Sequence, residues 1–454
     1  LLAGTLGDHR PAVPFLLALQ RRGLWPRVFA KRRFAPMFTK FGLEVVALPG
    51  VDHERIFADP AVRASLASGG TMLANMEIHR IMQQEYQEAA CLDATVEGLL
   101  DFQPTVVVWH AALVVEALVG CCLCRCPCIG LTCVPFAPSE EAPCIALWPQ
   151  RVAQPGLLTK GTHWLLWKHV MPVAKRRLLE HAHARYGVAL GGADAYAMYS
   201  SPSRPMICAW SPALGPRPRD YHEGVLGPVG FFAWREAELL QEPEAPAGLA
   251  AFVEACPRES LAYVGWGSMG VGSDEALAEL AAGALARAGA WGVVQGGCCD
   301  LRAEGLRDPE LRAYAAQRLR FVPRGVALPH AWLFRRCGAC VHHGGAGTLA
   351  ACLQAGTPSV VTPVYGDQFY WAHRVAACGA GLEGPPLASA TAAGLGACVR
   401  RCLDDLAAPG GGRMAAAARE LGEAIRAEDG VGKAVDFVVA FCSGGSGGAE
   451  LLPA

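Results

Sequence analysis

The 454 residues carry 40 Lys and Arg against 41 Asp and Glu, a formal net charge of −1, and 52% are hydrophobic. That balance gives no electrostatic ground for a nucleic-acid partner, and no basic run supplies one. The length suits two or three globular domains with a large core.

The chain opens on "LLA", which reads as a strand already under way at Leu1. The natural N-terminus, with any targeting segment or membrane-directing domain, is therefore expected upstream. A glycine turn follows, "GTLGDHRP", with Asp8 and His9 at its tip. Asp8 there either caps the next helix or serves a hydroxyl nucleophile as general base. Then come "PFLLALQRR" at helical spacing, a stop at Gly23, and the strands "RVFA", "LEVVAL" and "TVVVW".

The longest apolar region, Val106 to Val119, is interrupted by His110 and Glu116, too broken for a membrane span. Nineteen cysteines follow neither a zinc spacing nor a secreted disulfide framework. The densest run, "CCLCRCPC" from Cys121 to Cys128, is expected to act as small buried hydrophobes, with a metal or redox role as the alternative. The expected setting is soluble, reducing and cytoplasmic.

An acidic, proline-containing stretch, "EAELLQEPEAPAG", reads as the linker. It divides an N-terminal domain, 1–240, from a C-terminal domain, 249–441, with 241–248 between them and 442–454 as a flexible tail. After it strands and helices alternate again. "SLAYV" leads to "GWGSMGVG", then Ser273 as N-cap for "DEALAELAAGALARAG". "WGVVQ", "RLRFV", "HAWLFRR", "ACVHH", "TLAACLQA" ending at Gly356, "SVVTPV" and "YGDQFYWAHRVAACG" complete the pattern. Such alternation predicts an α/β protein of two Rossmann-like domains facing across a cleft, with ligands at the carboxyl ends of the strands.

"GWGSMG" is a literal G-x-G-x-x-G, a dinucleotide fingerprint if taken alone. That fingerprint also wants an acidic residue ending the second strand, where this chain has Gln295, and an earlier helix start than Ser273. The same turn can hold a phosphate through Ser268, or be an ordinary strand–helix turn. "VHHGGAGT", Val341 to Thr348, allows a metal, a core or a phosphate reading. Two adjacent histidines on a strand face opposite ways, which weakens the metal reading, and a core leaves the glycines unexplained. Glycine-rich backbone before a helix suits a phosphate. Asp367 and Gln368 in "YGDQ" suit paired sugar hydroxyls, with Asp367 as an N-cap the alternative. No D-x-D triplet is present, which argues against a metal-held diphosphate.

Together these stretches resemble the two-domain GT-B glycosyltransferases, and within them the sterol 3β-glucosyltransferases. The strongest block is Pro329 to Val375, supported by "GTLGDHRP", "VPFAPSEEAP", "WSPALGPRPRDY", "YVGWGSM" and "AEDGVGKAVD". The resemblance implies that His343, Gly344, Gly345, Gly347 and Thr348 contact a donor diphosphate and that Ser268 binds a phosphate. Asp367 and Gln368 would hold the sugar, and Phe321 and Val322 would lie near the uracil. Asp8 falls where the family places its base, with His9 the neighbouring candidate. His9 and Leu6 depart from the family pattern, which commonly has a small or apolar residue and an Arg there.

The implied activity is inverting transfer of a hexose, glucose first, from a UDP-sugar to a sterol or similar lipid alcohol, with peripheral membrane contact. The UDP-sugar would be a co-substrate, with no cofactor and no metal. The rivals are a small-molecule or polyketide glycosyltransferase, a non-catalytic nucleotide-sugar binder and a nicotinamide enzyme.

Overall fold

The computed structural model describes residues 1–67, 80–81, 87–145, 157–234 and 244–443. Two compact units emerge: Leu1–His53, His79–Trp234 and Glu428–Ala454 in the first, Glu54–Ile78 and Arg235–Ala427 in the second. Each is built on parallel strands, the α/β arrangement that alternation predicts.

In the first unit β1 (Arg27–Lys31) pairs with β2 (Glu44–Leu48), and β3 (Val107–His110), β4 (Cys128–Thr132), β5 (Met206–Cys208) and β6 (Val225–Leu226) follow in that order. All five residues of β4 are buried, as expected for a strand covered on both faces. The opening Leu1–Ala3 lies between the two sheets. The Leu2 amide donates to Phe29 O at 2.9 Å, and the His110 amide donates to Leu1 O at 2.9 Å. The turn that carries Asp8 therefore starts beside the carboxyl end of β3.

Helix Ala12–Arg21 sets Phe15, Ala18 and Leu19 on one stripe against Ile129 and Ile207. The same core takes Val431, Ala434, Val435 and Val438 from helix Gly430–Ser443. This corrects the chain-order division. The helix lies beyond the linker, yet its i, i+3, i+4, i+7 stripe belongs to the first unit's core, and Cys442 and Ser443 are helical rather than tail. Conversely, Glu54 onward joins the second unit, where the Phe57 ring lies 5.9 Å from that of Tyr365 and Arg63 pairs with Asp274 at 2.7 Å. The predicted linker 241–248 lies in part outside the described residues, as does the tail from 444 on.

The second unit has one six-stranded parallel sheet. Its strands are β7 (Leu261–Gly265), β8 (Trp291–Gln295), β9 (Leu319–Val322), β10 (Ala339–His342), β11 (Ser359–Val361) and β12 (Gly381–Glu383), ordered β12-β11-β10-β7-β8-β9. The order reverses between β7 and β10, the place where doubly wound sheets open a crevice for ligands. Helix Asp274–Ala288 begins late, as the sequence suggests, with Ser273 Oγ accepting from the Ala276 amide at 3.2 Å.

All nineteen cysteines are free thiols, and Cys121, Cys122, Cys126 and Cys128 are buried, the role expected of them. Among the described residues no helix is long and apolar enough to cross a membrane.

Candidate functional site

In the second unit β10 pairs with β7 on one side, His342 opposite Gly265, and with β11 on the other, His342 opposite Val361. Three turns thus leave the same sheet edge side by side: Gly265–Gly270, His343–Thr348 and Pro363–Gln368. The two histidines separate as strand alternation requires. His342 is fully buried, accepts the Gly344 amide on Nδ1 at 3.1 Å and lies against Cys352. It is a structural group.

His343 faces the turns. A Cβ on Gly345 would stand 2.3 Å from its Nε2, and one on Gly267 would stand 2.9 Å from its Cε1. Only glycines let the two loops close on the ring from both sides. Its Nδ1 is buried without a hydrogen-bond partner among the described residues. Burial, reinforced by neighbouring His342, holds the imidazole pKa down to about 3, so the ring is neutral at pH 7.

Helix Ala346–Ala355 begins at Gly345 and no side chain caps it. Its first-turn amides, including those of Gly347 and Thr348, are of the kind that a helix start offers to an anion. Ser268 is half-buried on the facing loop. Trp266 Nε1 donates to Thr362 Oγ1 at 2.8 Å, tying the β7 turn to the end of β11. Sequence reading missed this brace; the signal was an aromatic residue set between two glycines.

Asp367 precedes helix Gln368–Ala377 but does not cap it, and its Oδ2 instead accepts from Trp371 Nε1 at 2.9 Å. Gln368 Oε1 accepts the Val364 and Tyr365 amides at 2.8 and 3.0 Å, leaving its amide nitrogen as the donor. Phe321 is half-buried on β9, whereas Val322 is buried in the apolar core with Tyr263 and Leu328. Val322 can present only backbone to a ligand.

In the first unit Asp8 uses one oxygen locally. Its Oδ2 accepts from the Thr5 amide at 2.7 Å and the Thr5 hydroxyl at 3.1 Å, within the short helix Leu6–His9 that Thr5 starts; the next helix, Ala12–Arg21, has no side-chain cap, so Asp8 does not cap it. Gly4 is required for this seat, since a Cβ there would stand 2.2 Å from Oδ2. The other oxygen, Oδ1, lies 3.7 Å from His110 Nε2, and the Asp8 side chain keeps 30% exposure. His9 is fully buried, stacked 4.2 Å from Phe34 with Nδ1 donating to Thr5 O at 2.8 Å. Burial, against the Thr5 hydrogen bond and the nearby Asp8 charge, lowers its pKa to about 4. His9 is placed for packing; the accessible carboxylate is that of Asp8. His110, which sequence reading noted only as a break in an apolar run, is lowered by burial and pulled back by Asp8. Its place as the last residue of β3, at the ligand-facing edge, was the available signal.

Residues 309–424 match the family of erythromycin biosynthesis protein CIII-like C-terminal domains. The chain is 28% identical over 451 residues to a sterol 3-beta-glucosyltransferase of Arabidopsis thaliana, covering 96% of this chain and 64% of that protein. It is likewise 28% identical over 434 residues to the O-mycaminosyltylonolide 6-deoxyallosyltransferase of Streptomyces fradiae, covering 95% and 94%. Against a Cryptococcus neoformans sterol 3-beta-glucosyltransferase it is 29% identical over 242 residues, only 15% of that protein. The calicheamicin glycosyltransferase CalG4 superposes with a TM-score of 0.62 at 20% identity, covering 97% of this chain and 96% of that one. Os79 of O. sativa, in complex with UDP, superposes at 0.64 and 16%, covering 97% and 98%. The chain has the two-domain fold of the GT-B glycosyltransferases. In sequence it is similar to sterol glucosyltransferases, and it spans about two thirds of the length of its plant relative.

The buried histidines of this GT-B chain make its stability depend on pH in a definite direction. His9, His53 and His163 are lowered by burial to about 4 and His343 to about 3, against about 6.5 in an unfolded chain. Between pH 6.5 and 4 the unfolded chain binds more protons, so stability falls as pH falls. Each such histidine contributes about 1.4 kcal/mol per pH unit below its unfolded pKa. The thermal midpoint is expected to drop by several degrees from pH 7.5 to pH 5.5; a flat or rising midpoint contradicts this account.

Proposed function

We propose that this protein is an inverting glycosyltransferase that moves a hexose, glucose in the first instance, from a UDP-sugar to the hydroxyl of a sterol or similar lipid alcohol. The observation that carries the donor side is the neutral His343 held between two glycine turns beside an uncapped helix start. A neutral ring can donate a hydrogen bond to a diphosphate oxygen, and the first-turn amides and Ser268 add preorganised donors. Asp367 and the Gln368 amide nitrogen, on the next turn along the same edge, suit the sugar hydroxyls. Phe321 and the backbone of Val322 suit the uracil. No cofactor or metal is invoked.

In the reaction Asp8 Oδ1 takes the acceptor hydroxyl proton as that oxygen forms a bond to the anomeric carbon. The anomeric carbon–phosphate oxygen bond breaks, and its electron pair leaves on UDP. Because Oδ2 is held by Thr5, the free oxygen has a fixed direction. Sterol as acceptor draws on the similarity to the plant sterol enzyme across 96% of this chain. A second reading has support of its own. The Streptomyces relative, whose name describes transfer of a deoxyallose to a tylonolide, is covered almost end to end and favours a polyketide acceptor with a deoxysugar donor. Incubation with a panel of nucleotide sugars and both acceptor classes, read by mass, separates the two.

His343→Ala is expected to weaken UDP affinity by about 1.5–3 kcal/mol, the usual loss for a hydrogen bond to a charged group. Gly345→Val is expected to do worse, by displacing the imidazole. Calorimetry showing unchanged affinity in both variants would refute the cradle.

Asp8→Asn keeps the Thr5 contacts in shape but removes the proton acceptor, so transfer should fall by about 10²–10⁴-fold while UDP affinity stays. A purely capping Asp8 would give near-normal turnover, since Asn caps nearly as well. Transfer should also survive EDTA; inhibition that added metal restores would contradict a donor site built from backbone and His343.

A further inference from the structure

The turn after β8 carries two adjacent cysteines that the donor reading leaves unused. β8 ends at Gln295 and runs through Gly296 and Gly297 into Cys298 and Cys299. The Cys298 amide donates to Gly267 O at 2.8 Å, and the Cys299 amide to Gly296 O at 3.0 Å. A Cβ on Gly297 would stand 2.0 Å from that same Gly267 oxygen, so the two turns meet backbone to backbone. Gly267 is also the residue that closes on the His343 ring. Whatever displaces Cys298 therefore disturbs the β7 turn.

The thiols are placed to react with each other. Their sulfurs lie 3.7 Å apart, Cys298 half-buried and Cys299 buried. A Cβ on Gly270 would stand 2.7 Å from Cys299 Sγ and 2.9 Å from Arg63 Nε, so thiol and guanidinium close on one point of the β7 turn. Arg63 Nη1 pairs with Asp274 Oδ1 at 2.7 Å, and Asp274 Oδ2 accepts the Asp300 amide at 2.9 Å. That carboxylate ties the arginine to the loop that holds both cysteines. Arg63 Nε and Nη2 are buried with no hydrogen-bond partner among the described residues, donors left over for an anion such as a thiolate. The Cys299 S–H, donating to Cys298, lowers the Cys298 pKa; burial and Glu54 oppose this, and Arg63 and Arg324 add to it. The same bond and burial push the Cys299 thiol up. One sulfur is the nucleophile of the pair, and its neighbour keeps the proton.

We propose that Cys298 and Cys299 are an oxidant-sensitive pair that a hydroperoxide closes to a disulfide, pulling the β7 turn away from the His343 cradle. The Cys298 thiolate attacks a peroxide oxygen and the O–O bond breaks. Cys298 becomes a sulfenic acid, and the released hydroxide takes up the proton that the thiol gave up, leaving as water. The Cys299 sulfur then attacks the Cys298 sulfur, the S–O bond breaks, and the Cys299 proton leaves with the hydroxide as a second water. The two sulfurs lose two electrons and the peroxide gains them. Adjacent α-carbons stand about 3.8 Å apart, closer than the usual span of a bridge, about 4.4–6.8 Å. The peptide between the cysteines must therefore turn, which draws the Cys298 amide off Gly267 O. The loss of donor binding rests on the cradle reading above; the oxidation does not.

The test treats the full chain, reduced and then freed of reductant, with hydrogen peroxide. Alkylation and digestion should give a peptide in which Cys298 and Cys299 carry no alkyl group and lack two hydrogens. UDP affinity by calorimetry should fall at least about tenfold and return with dithiothreitol. Cys298→Ser and Cys299→Ser should each bind UDP like the unaltered chain when reduced, which also reports correct folding. Both should keep that affinity after peroxide, which sets the other cysteines aside. The proposal is overturned if peroxide leaves the pair without the disulfide, or if the disulfide forms and UDP affinity holds. Serine variants that lose UDP affinity to peroxide as the unaltered chain does would equally overturn it. A chain that forms the disulfide but binds no UDP even when reduced would instead refute the donor cradle and leave the oxidation standing.

Discussion

The parallel pairing of β7 with β10 is the constraint from which the candidate donor site follows. These strands are nearly eighty residues apart in sequence, and their register puts Gly265 opposite His342. Each strand ends there, so each glycine turn must leave the same edge at the same height. His343 then has no open direction except the space between them. A one-residue slip would send His343 to the back of the sheet and His342 to the front. Burial of Cys340 and His342 on one face and of Val341 on the other resists that slip, since each would exchange a fitted environment for a mismatched one. The chemistry of the front edge is thus secured by packing behind it.

Much of this was legible in sequence because period and punctuation agreed. Buried strands such as "SLAYV" and "WGVVQ" each ran into a glycine turn, and Ser273 announced its helix by side-chain chemistry alone. The short β5, β6 and β12 carry two or three residues each, too few for any periodicity to register. Side-chain direction was harder. Asp367, for which an N-cap was the alternative to a sugar contact, holds Trp371, four residues on, a choice made by the indole's need for a partner once buried. Asp8 was expected to cap the next helix or to act as base; one of its oxygens closes on Thr5 in its own short helix, and the next helix goes uncapped by any side chain. His110 was read only as a break in an apolar run, because its place at the end of β3 does not say what it will meet. Only the pairing of Leu1–Ala3 beside β3 brings it to Asp8.

The two units handle charge differently. In the second, the groups that could meet an anion are dipoles: backbone amides, a hydroxyl, a neutral imidazole. Neutral donors keep the empty site free of strongly solvated charge, so little hydration must be stripped when an anion arrives. In the first, ionisable side chains are themselves buried. Lys31 is 1% exposed and donates to Cys91 Sγ at 2.8 Å, while Glu116 is 4% exposed with its carboxyl pushed up by burial. Such groups fix side-chain positions at some cost in stability.

The return of helix Gly430–Ser443 to the first core bears on how the molecule comes to exist. During synthesis from the N-terminus, residues 1–234 emerge long before the stripe of Val431, Ala434, Val435 and Val438 that completes their core. The first unit must wait, with Phe15, Ile129 and Ile207 incompletely covered, while almost the entire second unit is translated. The second unit meets no such delay in its sheet, because β7 to β12 follow one another without leaving it. Folding therefore runs against the order of translation: the later-made unit can close first, and the earlier-made one is sealed by helix Gly430–Ser443. A fragment cut at the linker would carry the groove without its plug.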